Sequence, residues 1–267
     1  MSCQKVKTLS EEDQEPTREQ FRKSFVSAIK QQWAVAETTK RIKHRIAVWS
    51  AKGGVGKTTF AINLAFALAE RAKTGLLDAD IDCPNIFQAL GIEEKHMASE
   101  GKILPIVRNN LQIVSMGGLT TETIIWRGPI VSQALAQFLS QVKWDVDALV
   151  ADLSPGSSDV PITIAELLKP TGFIIVTTSD EMALLDAKKS IKFAQRLHFP
   201  IIGIVENMSG DIFGKGGGEQ LAKEFNIEFL GSLPLDKKIR EYMKSGKPLH
   251  KTEFKEVFEN CLRKVLI

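Results

Sequence analysis

Residues 52–59, read Lys-Gly-Gly-Val-Gly-Lys-Thr-Thr, constrain this chain more than any other stretch. The apolar run 46–48 ahead of them reads as a strand, and Ile62, Leu64, Ala65 and Leu68 behind them share a helical face. A strand that turns through glycines into a helix aims the amides of the turn and the positive helix end at one point. Gly53, Gly54 and Gly56 have no Cβ to obstruct an anion, so the backbone through Val55 can fold around it. Lys57 adds a full charge suited to β- and γ-phosphates, and the Thr58 hydroxyl suits Mg²⁺, with Thr59 closing the motif. The spacing is that of a P-loop, and both flanking contexts are present. The stretch predicts a nucleotide site.

The early lysine narrows the reading. The form K-G-G-x-G-K-[ST]-[ST], with Lys52 as well as Lys57, resembles the deviant P-loop of the MinD/ParA/Get3-like ATPases. That resemblance implies a homodimer enclosing two ATP molecules, with Lys52 reaching the partner subunit's nucleotide.

The 267 residues are enough for one large domain, here expected over 42–267, preceded by an extension over 1–41. A net charge of +3 implies no general nucleic-acid field, and no apolar run is long enough to span a bilayer. The polar first residues do not read as a secretory signal, so a cytoplasmic protein is expected. Three cysteines, Cys3, Cys83 and Cys261, lie far apart without a C-x-x-C pair, which argues against a disulfide framework or zinc ribbon. In the extension, Phe21, Phe25, Ile29 and Trp33 recur every four residues, the stripe of an amphipathic helix that packs on the domain or on a partner.

From residue 45 onward, apolar runs alternate with helical stretches. Strands are expected over 46–50, 74–78, 111–115, 148–152, 172–178, 200–206 and 228–232. Helices are expected over 58–71, 129–142, 160–168, 181–197, 217–225 and 253–265. Most strand runs are continuously apolar, as in strands covered on both faces. The pattern predicts a three-layer α/β fold, doubly wound around a mostly parallel sheet, with ligands at the carboxyl ends of strands. The last helix carries Phe254, Val257, Phe258, Cys261, Leu262 and Val265 on one face, expected to pack on the sheet.

Carboxylates cluster where two of these strands end. Asp78, Asp80 and Asp82 follow the second strand, and Asp152 follows the fourth, ahead of Ser-Pro-Gly. A carboxylate beside the phosphates can hold Mg²⁺ or orient an attacking water, because phosphoryl transfer needs positioning more than covalent chemistry. By resemblance to the deviant P-loop class, Asp80 positions the water and Asp78 and Asp82 are weaker candidates. Asp152 fits the Walker-B position, holding the Mg²⁺ shell through water.

The ordered blocks KGGVGKTT, DADIDCPN, WRGP, DLSPGSSD, TTSDEMALLDAKKSI, GIVENMSG, IFGKGGGEQLA and GSLPLD together resemble the Mrp/ApbC family over about residues 42–250. These are MinD-like P-loop ATPases that bind and deliver iron–sulfur clusters. The resemblance implies ATP hydrolysis to ADP and phosphate, with Asp80, Lys57 and Lys52 catalytic. It implies adenine recognition by Asn207, with Pro234 and Asp236 beside the base. It also implies apo iron–sulfur proteins, or a cluster-carrying homologue, as partners. The family usually carries C-x-x-C between ENMS and IFGxGGG, whereas here Met208-Ser209-Gly210-Asp211 runs directly into Ile212-Phe213-Gly214. Clusters need thiolates or equivalent soft ligands. Cys83, beside Asp80, is the one cysteine placed to serve as a cluster ligand across a dimer; a small, partly buried thiol is its other reading. Two functions therefore stand side by side: a cluster-carrier ATPase, and a nucleotide-gated binding module that has lost cluster chemistry.

Overall fold

The computed structural model describes residues 26, 29–30, 33–80, 83–118, 129–156 and 159–266. Strand β1 (His44–Trp49) runs into α1 (Lys57–Ala69), followed by β2 (Thr74–Ala79) and the one-turn α2 (Ile86–Ala89). Short strands β3 (Ala98–Ser99), β4 (Lys102–Ile103) and β5 (Ile106–Arg108) lead to β6 (Leu111–Ser115). Then come α3 (Pro129–Gln141), β7 (Ala148–Leu153), α4 (Asp159–Leu168), β8 (Gly172–Thr177) and α5 (Glu181–Arg196). The chain ends with β9 (Ile201–Ser209), α6 (Gly217–Phe225), β10 (Phe229–Pro234), α7 (Lys237–Lys244) and α8 (Lys255–Val265).

Eight strands form one sheet in the order β10-β9-β8-β1-β7-β2-β6-β5, parallel throughout except for β5 against β6. All residues of β2, β7 and β8 are buried, which is why their sequences read as unbroken apolar runs. One core layer gathers Trp49, Leu149, Phe173 and Ile191 under α3 to α6. The other gathers Phe60, Leu64, Val150 and Phe258 under α1 and α8. Phe60 and Phe258 stack with ring centroids 5.6 Å apart, fixing the last helix against the one that follows the glycine turn. The expected apolar face of α8 is in place, and burial pushes the Cys261 thiol far above its ordinary value. β1 lies between β7 and β8, so the loops after β1 and β7 open side by side at the carboxyl edge.

The short α2, β3, β4 and β5 were not expected from the sequence, and further features depart from that reading. Helix α7 was not expected, because its eight residues include none that is buried; its signal is the cap at Asp236 with Ile239, Tyr242 and Met243 on one side. Strand β9 runs three residues past 206, because β10 stays paired with it as far as Ser209. In the extension, Phe21 and Phe25 lie outside the described residues, and Ile29 and Trp33 are exposed. Val35 and Thr39, one turn apart, are buried instead, and Val35 joins the core layer beneath α3.

Candidate nucleotide site

The turn between β1 and α1 is shaped by backbone that only glycine adopts readily. Gly54 has φ +79° and Gly56, the N-cap of α1, has φ +85°. A Cβ at Gly56 would stand 2.1 Å from Asn207 Nδ2, so this position is closed to any side chain. No side chain caps α1, and among the described residues none accepts a hydrogen bond from the amides of Gly53 to Thr58. An N-terminus with open amides and no acidic cap is a ready cradle for phosphate.

One buried carboxylate, Asp152, lines the floor, and a second, Asp78, lies beside it on the next strand. Lys57 Nζ lies 2.7 Å from Asp152 Oδ1, and both side chains are buried. Burial raises the Asp152 pKa, opposed by Lys57 and by the Thr58 hydroxyl. Its second oxygen, Oδ2, is buried with no hydrogen-bond partner. An orphaned buried carboxylate oxygen beside a P-loop threonine is a donor set suited to Mg²⁺, so the residues fit that ion. Asp78 pairs in register with Asp152 across β2 and β7. It is fully buried and accepts from Ser115 Oγ at 2.9 Å and from the Ile86 amide at 3.1 Å. Burial pushes its carboxyl up to about 7. Asp78 thus ties the loop that carries Asp80 rather than facing the cradle.

Asp80 sits at the mouth, half-buried, with Oδ1 accepting from the Cys83 amide at 3.2 Å and from Ser154 Oγ at 3.3 Å. Ser154 begins the Ser-Pro-Gly loop, and Trp49 Nε1 donates to the Gly156 carbonyl at 2.9 Å, seating that loop on the core. Asp82 lies outside the described residues, as do Trp126, Arg127 and Gly128 of the WRGP block. Cys83 is exposed, not partly buried. Among the described residues no three His, Cys, Asp or Glu side chains gather into a metal-holding group.

Lys52 ion-pairs with Asp180, Nζ to Oδ1 at 2.9 Å, and Asp180 also caps α5 through the Ala183 amide. Asp180 falls in the block TTSDEMALLDAKKSI, but nothing in the sequence pointed to its pairing with Lys52, 128 residues away.

A cavity of about 420 Å³ opens beside Gly56 and Thr59. Asn207, Met208, Pro234 and Asp236 line it, with Ile239 and Met243 of the unforeseen α7. Asn207 Nδ2 donates to the Val55 carbonyl at 2.8 Å, which binds the cavity wall to the glycine turn. Met208 has φ +56°, a conformation that costs a residue with a side chain about 1–3 kcal/mol and that persists where the surroundings enforce it. Asn63 of α1 is buried and holds α7 and the following turn, Nδ2 to Met243 Sδ and Oδ1 to the Leu249 amide. Its signal in the sequence was only a polar residue inside an apolar helix.

A doubly wound parallel sheet, a glycine cradle at the first strand's carboxyl end and a lysine–aspartate floor define a P-loop NTPase of the MinD/ParA type. Among solved structures, the nucleotide-binding protein from Archaeoglobus fulgidus in complex with ADP superposes with a TM-score of 0.73 at 30% identity, over 85% of this chain and 96% of that one. The cell division ATPase MinD of Pyrococcus furiosus has the same fold, with a TM-score of 0.66 at 20% identity, over 84% and 99%. The ParA family model, described as NUBPL iron-transfer P-loop NTPase, matches residues 41–266. The iron–sulfur cluster carrier protein of Methanocaldococcus jannaschii is 45% identical over 255 residues, 86% of this chain and 88% of that protein. That of Escherichia coli K12 is 43% identical over 223 residues, 78% of this chain and 60% of that protein. The chain belongs to the NUBPL/Mrp family of iron–sulfur cluster carrier P-loop NTPases.

Proposed function

We propose that this protein binds ATP with Mg²⁺ between two copies of itself and hydrolyses it to ADP and phosphate in iron–sulfur cluster assembly or transfer. The observation that carries this reading is the uncapped glycine cradle above the buried Lys57–Asp152 pair, next to a cavity of about 420 Å³ with room for a base. The nucleotide-bound relatives support it: the Archaeoglobus protein holds ADP, and MinD of Pyrococcus horikoshii is a complex with Mg-ADP.

In the proposed reaction, the amides of Gly53 to Thr59 and the Lys57 ammonium hold the phosphates and offset charge that builds on them. Asp80 orients a water toward the γ-phosphate and takes its position from Ser154 and the Cys83 amide. Thr58 and, through water, Asp152 would hold Mg²⁺, which would supply countercharge to the phosphates. Asn207, Pro234 and Asp236 enclose the base. Lys52 leaves Asp180 to reach the nucleotide of the partner subunit. Cytoplasmic location belongs to the same proposal; no described helix is long and apolar enough to cross a membrane.

The turn that lacks C-x-x-C favours a second reading. The Gly210 amide donates to the Gly214 carbonyl at 3.0 Å, closing Asp211, Ile212 and Phe213 into a tight turn without a thiolate. A nucleotide-gated module that docks a client or a cluster-bearing relative would need no cluster of its own. Calorimetry with ATP and Mg²⁺ tests the shared premise, and absence of uptake by folded protein overturns both readings. Anaerobic reconstitution with iron and sulfide separates them. Cluster absorbance lost in Cys83→Ser assigns the carrier reading through that thiol. ATPase activity without absorbance assigns the gated module.

A further inference from the structure

Next to the base cavity, on the far side of α7, lies a second and larger groove of about 580 Å³. Its floor is apolar, built from Phe66, Ile92 and Ile113, and its rim carries Arg108, Lys244 and Lys247. No carboxylate lines it. That is not the general character of the surface, since the chain's 35 Lys and Arg nearly balance its 32 Asp and Glu. Arg108 is paired with Glu94, which stands outside the groove. Lys247 lies 4.6 Å from the centroid of the Tyr242 ring, and Lys244 has no carboxylate partner among the described residues. Positive charge above an apolar trough recognises a ligand that is both apolar and anionic.

The shape adds the form of that ligand. The trough is open along Gly91, Ser245 and Gly246, all exposed. One of its lining residues, Arg108, ends β5, the terminal strand of the sheet, whose outer edge pairs with no strand among the described residues and whose Val107 is exposed. A chain laid there in extended form sends alternate side chains into the trough and toward the rim. We propose that this groove is the docking site for an extended segment of a partner protein in which acidic and large apolar residues alternate. The groove can hold such a segment whether or not the neighbouring cavity takes nucleotide.

The test uses full-length protein and a fluorescein-labelled octapeptide of alternating leucine and aspartate, followed by anisotropy with and without saturating ADP and Mg²⁺. Saturable binding is expected, weaker by about tenfold in Lys247→Glu and further reduced in Arg108→Glu/Lys247→Glu. Neither residue touches the base cavity. The leucine–lysine counterpart should not bind. Equal binding of both peptides, no binding of either, or indifference to the substitutions overturns the proposal. Competitive displacement by ADP also overturns it, because the peptide then occupies the nucleotide cavity. Binding that emerges only after removal of residues 1–25 assigns the groove to the chain's own acidic stretch at Glu11, Glu12, Asp13 and Glu15 and overturns the partner assignment.

Discussion

Residues 52–57 and 213–218 are built alike and used differently. Each loop leaves a parallel strand, turns at glycines in the left-handed region and opens a helix whose N-cap glycine has no side chain to cap it. Gly54 and Gly56 have φ +79° and +85°; Gly214 and Gly216 have φ +84° and +81°. In the second loop the amides are already taken. Glu206 Oε1 accepts from the Gly216 amide at 3.1 Å, Glu206 Oε2 from Gly218 at 2.8 Å, and Ser179 Oγ from Gly217 at 2.9 Å. In the first loop the nearest buried carboxylate, Asp152, is held instead by Lys57. A run of glycines before a helix therefore makes an anion cradle in both places. Whether a ligand can use it depends on where the protein's own carboxylate is engaged.

Breaking the Lys57–Asp152 engagement should have the largest effect. Lys57→Met leaves Asp152 buried without its partner, which costs about 3–5 kcal/mol. It also removes a charge from the phosphates, so phosphate release should fall by about 10²–10³. Urea unfolding of Lys57→Met/Asp152→Asn should recover most of the stability while turnover stays lost. A single variant that unfolds like wild type would sink the account of the floor.

The second loop gives the next effect. Glu206→Ala leaves two amides at a helix start, those of Gly216 and Gly218, without their acceptor and should cost about 1.5–3 kcal/mol. The vacated nest should now take an anion, so sulfate should raise the melting temperature of this variant more than that of wild type. If sulfate acts equally on both, the two loops are not equivalent cradles. Burial pushes the Glu206 carboxyl up, but hydrogen bonds from Ser179, Gly218, Ser209 and Gly216 outweigh it and hold the pKa below its ordinary 4.5. A lowered folded pKa means this contribution is complete above about 4.5 and is lost as pH falls through the lower folded value. Wild type should accordingly lose more stability than Glu206→Gln across that acid range.

The first loop was legible because its meaning is local: glycines, two lysines and a threonine at fixed spacing, between a strand and a helix. The alternation of apolar runs made most of the sheet legible too, since strands buried on both faces have few polar positions. What the residues alone did not reveal is pairing at a distance. Lys57 and Asp152 are 95 residues apart, and the partner of Lys52 is 128 away. The filling of the second loop was not legible for the same reason, because Glu206 reads as an ordinary strand residue until the fold brings it under Gly216. Helix α7 was missed because none of its residues is fully buried, yet it walls both the base cavity and the basic groove. Asn207, Pro234 and Asp236 were reached through family resemblance, not through any pattern of their own. Cys83 was misjudged as partly buried, since Asp80 takes its amide and leaves its side chain outward in the loop.

The smallest effect lies where the two loops meet. Ser179 caps the second loop, while its neighbour Asp180 holds Lys52 of the first and caps α5. Lys52 and the Gly217 amide are thus fastened to adjacent residues. The ion pair is partly exposed, and pairs of that kind add little to stability. Asp180→Asn keeps an oxygen for the Ala183 amide and removes only the charge, so its melting temperature should stay within about 2 °C of wild type. If Lys52 serves the partner subunit's nucleotide, releasing it should raise the fraction of dimer at subsaturating ATP, read by light scattering. Lys52→Ala should abolish that gain and lower turnover without unfolding the protein. Turnover unchanged in Lys52→Ala would show that the lysine belongs to Asp180 alone, and the first loop would then act only within its own subunit.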